Sequence, residues 1–183
     1  FHHEFGGTAY YDNVLNVYKA LDLAKQIDNA VFVFTKHEEE SIASGKAAAD
    51  SLKDKVATDA IFLVLDGTES NGNFGFVVSG IKDVAGSKVL VDQIRGLIDA
   101  EGITAIETEL NPRHAAMSWN NALGFHAAGV ENVARIGMFL WNMHSASAQI
   151  TAPYTQYSKF VDTVVSGLIQ QQKAQDSELN AQT

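Results

Sequence analysis

The adjacent glutamates Glu38 and Glu39 are the feature of the sequence that most directly suggests chemistry. They follow shortly after the apolar run 30–35 (Ala-Val-Phe-Val-Phe-Thr), which predicts a buried strand. An open α/β sheet binds its ligands outside the carboxyl ends of its strands, so both carboxylates are expected where such a sheet holds a site. One of them can bind a metal ion while the other transfers protons, and metal-assisted hydrolysis needs both roles.

Three more candidate ligands lie beside other predicted elements: Asp66 ends the apolar strand predicted at 58–66, His144 follows the strand predicted at 133–141, and Asp12 precedes the first predicted helix. Taken singly they have ordinary structural roles, such as a helix N-cap for Asp12 and a turn for Asp66. If the strands are parallel neighbours, their ends converge on one edge of the sheet. The candidates together then favour a site of carboxylates and imidazole, which suits zinc, manganese or cobalt.

The elements that must position these residues alternate along the chain. Helices are predicted at 14–27, 41–55, 89–100, 113–128 and 155–172, and strands at 30–35, 58–66, 73–81, 103–110 and 133–141. Continuous apolar strands alternating with helices predict a three-layer α/β/α fold with a mixed, mostly parallel sheet. We expect a single domain over 1–173, followed by a polar, disordered tail over 174–183.

The amino-acid composition disfavours some classes of binding partner and some kinds of metal site. The chain of 183 residues has 13 basic and 22 acidic side chains, a net charge of −9, which disfavours nucleic acid and anionic membranes. It has no cysteine, so a metal site must use His, Asp and Glu. No apolar run reaches the roughly 18 residues of a membrane span. No signal peptide is visible, and since the chain begins with Phe1 rather than Met, the compartment stays open.

Four stretches, in the same order along the chain, resemble the catalytic core of the di-zinc exopeptidase superfamily, which includes the Vibrio- and Streptomyces-type aminopeptidases and the tetrahedral aminopeptidases. The stretches are 9–13 (Ala-Tyr-Tyr-Asp-Asn), 33–39 (Val-Phe-Thr-Lys-His-Glu-Glu), 60–66 (Ala-Ile-Phe-Leu-Val-Leu-Asp) and 137–145 (Gly-Met-Phe-Leu-Trp-Asn-Met-His-Ser). The resemblance implies a metallo-exopeptidase-like domain that binds two divalent ions, zinc first, with manganese or cobalt as alternatives.

The resemblance also implies a role for each ligand. Asp12 would bridge the two metals, Glu39 and His144 would complete one site, and Asp66 would complete the other with an N-terminal histidine. Glu38 would be the general base that takes a proton from the bridging water.

The N-terminal histidine has two candidates. The family pattern is His-any-Asp, in which the carboxylate orients the ligand, whereas this chain has His2-His3-Glu4. If His2 is the ligand, Glu4 takes the orienting role. If His3 is the ligand, Phe5 stands where the carboxylate should be. A remnant of an expression tag is the third interpretation.

The chain also departs from the family. Relatives have several strands before this histidine, and many carry an acid where residues 118–121 are Ser-Trp-Asn-Asn. The short gap between His2 and Asp12 leaves no room for the dimerisation domain that tetrahedral aminopeptidases insert there.

The leading functional hypothesis is an aminopeptidase that hydrolyses peptides. The alternatives are a deacylase of N-acyl amino acids and a non-catalytic structural or assembly subunit with a decayed metal site. Exposed edge strands would permit a homo-oligomer. A nucleotide-binding domain has no glycine fingerprint in its support.

Overall fold

The computed structural model describes residues 14–35, 42–69, 75–113, 120–141, 149–150 and 153–181. These residues form the helices α1 (Leu15–Leu23), α2 (Ala43–Leu52), α3 (Ala85–Ala100), α4 (Asn121–Ala127) and α5 (Tyr154–Ala181), and the strands β1 (Phe62–Leu65), β2 (Thr68–Glu69), β3 (Phe76–Ile81), β4 (Ile106–Leu110), β5 (Val133–Trp141) and β6 (Gln149–Ile150). None of the helices in these ranges combines the length and the apolar character that a membrane crossing requires.

The strands form a mixed sheet in the order β1-β5-β3-β4, and β2 and β6 also pair with β5. The pairs β1–β5 and β3–β4 are parallel, whereas β3 and β5 are antiparallel. The carboxyl ends of β1 and β5 therefore lie at one edge of the sheet, and those of β3 and β4 lie at the opposite edge. The α/β class and the mixed sheet expected from the sequence are confirmed.

Helices cover both faces of the sheet because its strands are apolar on both sides. On one face Val78 and Ile136 pack with Phe160 of α5 and with α3 and α1. On the other face Val64 and Val133 pack with α2 and α4. Successive side chains of a strand point to opposite faces, so continuous apolar strands supply a core to each layer.

The run 30–35 differs from its prediction, because no strand is assigned to it. Phe32 packs against the core, but Val31, Val33 and Phe34 are 60%, 42% and 50% exposed. An extended segment becomes a strand only when a neighbouring strand pairs with its backbone groups. The apolar content of this run predicted burial on both faces of a strand, but composition does not indicate whether a neighbouring strand is present.

Two helices have other bounds than expected. The helix predicted at 113–128 is observed only as α4, with Asn120 as its extended N-cap, and residues 114–119 lie outside the described part of the chain. Helix α5 continues to Ala181, so most of the polar segment 174–183 forms its last turns.

Candidate functional site

Among the residues proposed for the site, Asp66 lies in the described part of the chain. The others lie outside it: His2, Glu4, Asp12, Glu38, Glu39 and His144. Within the described ranges, His, Asp and Glu side chains do not come together in threes as a metal site would require. The structure therefore defines the surroundings of Asp66 and the chain on either side of the segments that contain Glu38, Glu39 and His144.

Asp66 follows the last residue of β1 at the edge of the sheet and is only 9% exposed. Its backbone N–H donates to the carbonyl oxygen of Ile136 on β5 at 3.1 Å. A Cβ atom at Gly137, the next residue of β5, would overlap the backbone carbonyl oxygen of Asp66. Only glycine at position 137 lets the two backbones approach this closely.

Asn120 holds the carboxylate of Asp66. Its Nδ2 donates to Asp66 Oδ2 at 3.1 Å, while its Oδ1 accepts from the backbone N–H of Ala122 at 2.9 Å and so caps α4. Because the cap requires the amide oxygen on the helix side, the NH₂ group must face the carboxylate. A charge-assisted hydrogen bond of this kind fixes the orientation of a buried carboxylate.

Only part of this arrangement could be predicted from the sequence. An asparagine before a helix is a recognisable N-cap, but no local pattern shows which distant group its free amide end will bind. Position 120 falls in the stretch where an acid was expected by resemblance. The structure shows an amide donor there, which pairs with a carboxylate as a second acid would not.

The next residue, Asn121, holds the chain on both sides of the segment 36–41. Its Nδ2 donates to Thr35 Oγ1 at 2.9 Å, and its Oδ1 accepts from Ser44 Oγ at 2.9 Å. A Cβ atom at Gly45 would collide with the backbone of Asn121, so α2 and α4 are in backbone contact. The residues flanking the Glu38–Glu39 pair are therefore fixed to the same helical turn that holds Asp66.

Helix α1, which follows Asp12 in the sequence, is attached to α5 by buried polar contacts. The Tyr157 hydroxyl donates to Asn16 Oδ1, and Lys19, 1% exposed, pairs with Asp162 at 2.6 Å. Burial raises the pKa of Tyr157 far above its usual value, and the negative charge of Asp66 raises it further.

The segment 142–148, which contains His144, connects two paired strands. Strand β5 ends at Trp141, and β6 returns antiparallel to it, with Leu140 opposite Ile150. Strand β2, two residues after Asp66, pairs in parallel with the same end of β5. The flanks of 142–148 therefore lie at the edge of the sheet that carries Asp66.

A separate cleft of about 510 Å³ lies at the opposite edge, beside the carboxyl ends of β3 and β4. It is lined by Lys82, Arg113, His126 and Glu131 together with Ala85, the first residue of α3. His126 lies in the last turn of α4, inside the helix predicted at 113–128. Because β3 runs antiparallel to β5, this cleft is not continuous with the edge that bears the candidate ligands.

Solved structures share this fold. PhTET1-12s, a dodecamer in the asymmetric unit, superposes with a TM-score of 0.61 over 84% of this chain at 13% sequence identity. Yeast aminopeptidase 1 (Ape1) superposes with a TM-score of 0.58 over 88% of this chain, also at 13% identity. The chain spans about half the length of each, 48% in both. No protein-family model and no curated protein matches the sequence.

Both neighbours have zinc-exopeptidase-like folds, which confirms the resemblance at the level of the fold. The chain is therefore an α/β domain whose fold is similar to that of these two proteins. At 13% identity the likeness concerns the fold alone.

Proposed function

We propose that this protein is a metal-dependent hydrolase of peptide bonds, acting as an aminopeptidase. The observation that supports this best is the pair Asn120–Asn121. Through it, one turn of α4 holds Asp66 and also Thr35, three residues before the Glu38–Glu39 pair. Carboxylates that are far apart in sequence would in this way share one edge of the sheet, as the resemblance to di-zinc exopeptidases implies.

The chemistry of Asp66 fits a divalent cation. A buried carboxylate is costly unless hydrogen bonds or positive charge compensate it. Asn120 already orients one oxygen of the carboxylate, as outer residues commonly orient metal ligands. The further proposed ligands are carboxylates and imidazoles, which suit zinc, manganese and cobalt: His2, Asp12, Glu39 and His144.

Two bound ions would supply an acidic water and positive charge for the developing oxyanion. Glu38 would accept the proton of that water and return it to the leaving amine, as a general base that then serves as a general acid. Glu4 would hold the ring of His2 in the orientation for binding. The substrate would be a peptide with a free N-terminus.

The first experiment is metal content per chain after gentle purification, on wild type, Asp66→Asn and Asp99→Asn in parallel. Asp66→Asn keeps an acceptor for Asn120 but loses the charge, whereas Asp99 is an exposed acid on α3 that pairs with Arg95. We expect about two ions in the wild type and in Asp99→Asn, and a sharp reduction in Asp66→Asn. No bound metal in the wild type, even after added zinc or cobalt, would refute the proposal.

Catalysis is tested separately with Glu38→Gln on a panel of amino-acid anilides. We expect this variant to keep its metal and lose activity. If N-acyl amino acids are hydrolysed instead of anilides, the deacylase alternative replaces the aminopeptidase while the metal chemistry stays.

One observation favours the assembly subunit as a second candidate. Val31, Val33 and Phe34 expose large apolar side chains near the proposed site, and such side chains commonly mark contact surfaces. An absence of metal together with a stable homo-oligomer that Val33→Asp dissociates would support this candidate over the enzyme.

A further inference from the structure

Arg135 is a buried cation on β5 that the proposed chemistry does not use. It is 8% exposed and lies two residues before Gly137, on the face of the sheet covered by α2 and α4. Its Nη2 donates to Ser79 Oγ at 2.9 Å and to Thr68 Oγ1 at 3.3 Å, and its Nε donates to Ser79 Oγ at 3.3 Å. The Ser79 hydroxyl also bonds Thr108 Oγ1 at 2.7 Å on β4.

These contacts attach the segment after Asp66 to the middle of the sheet. Thr68 is the first residue of β2, two positions after Asp66, and Ser79 is on β3. The guanidinium of Arg135 therefore ties the chain that leaves Asp66 to a strand on the other side of β5. A planar guanidinium with several donors in fixed directions can bridge two hydroxyls at once.

Asp66 is consequently held from both directions. On the N-terminal side its backbone N–H bonds the carbonyl of Ile136. On the C-terminal side the next fixed point is Thr68, and Gly67 is the single residue between them. Because Gly67 is the single residue between them, the Thr68 contact restrains the backbone close to Asp66.

We propose that Arg135 is a positioning residue for Asp66, acting through Thr68, and that it determines how tightly the site holds a divalent cation. The metal part of this inference rests on the proposed function. Residues that orient metal ligands typically change affinity by about 10- to 100-fold when removed. We expect this change in metal affinity when the Arg135–Thr68 hydrogen bond is lost, and not when the hydrogen bond between Ser79 and Thr108 is lost.

The test uses three variants of similar size. Thr68→Val removes the hydroxyl that Arg135 bonds, with little change of shape, and Thr68→Ser restores it. Thr108→Val removes a hydroxyl from the same network but leaves the Thr68 contact in place. Cobalt(II) is titrated into the metal-free proteins, and the dissociation constant and visible spectrum of the bound ion are measured.

We expect Thr68→Val to weaken cobalt binding by about 10-fold or more and to alter the visible spectrum. Thr68→Ser and Thr108→Val should stay within about twofold of the wild type. An unchanged dissociation constant in Thr68→Val, or equal weakening in Thr108→Val, would overturn the positioning role.

A readout without metal separates this inference from the proposed function. If the wild type binds no cobalt, the hydrolase proposal fails, and the role of Arg135 is decided by hydrogen exchange of the amides of residues 66–69. Faster exchange in Thr68→Val than in Thr108→Val and Thr68→Ser would support the positioning role of Arg135. Equal exchange in all three variants would refute that role.

Discussion

The contact between Asn120 and Asp66 predicts that Asn120→Asp destabilises the protein in a pH-dependent manner. Aspartate is as good an N-cap as asparagine, so the cap of α4 is kept. The amide donor is replaced by a second carboxylate about 3.1 Å from Asp66 Oδ2. Two full charges at that distance repel by roughly 5 kcal/mol at an effective dielectric constant near 20, from 332/(20 × 3.1). The folded pair will therefore retain a proton instead.

The cost of retaining that proton sets the magnitude. A carboxyl with an ordinary pKa of about 3.9 costs about 1.36 × (7 − 3.9), or about 4 kcal/mol, to keep protonated at pH 7, and about 1 kcal/mol at pH 4.5. Since the folded pair binds its proton more tightly than the unfolded chain does, the stability of the variant is retained at low pH and lost as the pH rises.

The assay is urea unfolding of wild type and variant with a metal chelator present, at pH 4.5 and pH 7. The matched control is Asn121→Asp, because Asn121 bonds the hydroxyls of Thr35 and Ser44 and no carboxylate among the described contacts. We expect the stability difference to grow by about 3 kcal/mol between the two pH values for Asn120→Asp and to stay nearly constant for the control. The same pH dependence of stability in both variants, or no pH dependence in Asn120→Asp, would contradict the contact between Asn120 and Asp66.

Three further predictions concern packing and buried charge. Gly137→Ala should lower the free energy of unfolding by more than about 3 kcal/mol, because the added Cβ overlaps a backbone carbonyl oxygen. Gly96→Ala in α3, where the space is open, should instead raise the free energy of unfolding by about 0.5–1 kcal/mol. Thermal unfolding of both variants checks this. Asp162→Ala should destabilise more than Lys19→Met in urea unfolding, because it takes the ion-pair partner from a buried ammonium; a larger loss in Lys19→Met would contradict this. Tyr157 should ionise only on unfolding, since its folded pKa is raised. Its stabilising effect is therefore complete below the unfolded pKa of about 10 and falls as the pH rises above that value. An alkaline titration of tyrosine absorbance, with Tyr157→Phe as the control, checks this, and release of the Tyr157 proton by the native protein would contradict it.

Periodicity predicted the parts of the fold that depend on one segment alone. Strand β5 occupies the range expected for it, and β1 and β3 lie inside their predicted ranges, because continuous apolar runs report burial on both faces. The run 30–35 has the same composition and forms no strand, since pairing depends on a neighbour elsewhere in the chain. The roles expected for Glu38, Asp12 and His144 stay predictions.

The surroundings of Asp66 could not be predicted from local patterns, because they are made by tertiary contacts. The amide of Asn120 lies 54 positions from the carboxylate that it bonds, and the guanidinium of Arg135 lies 67 positions from Thr68. The identity of each residue is visible in the sequence, but its partner depends on which strands and helices become neighbours. The local signals at these positions are an asparagine before a helix and an arginine within an apolar strand.

Strand β5 explains why the edge at Asp66 has a defined structure. Side chains at alternate positions share a face of a strand, so Arg135 and Gly137 lie on the same side, next to each other. Gly137 lets the backbone of Asp66 come close, and Arg135 holds the chain two residues further on. The position of the Asp66 carboxylate therefore depends on β5 and α4 more than on β1, the strand that it ends. It follows that substitutions at positions 135 and 137 should disturb this carboxylate more than equally large changes within β1.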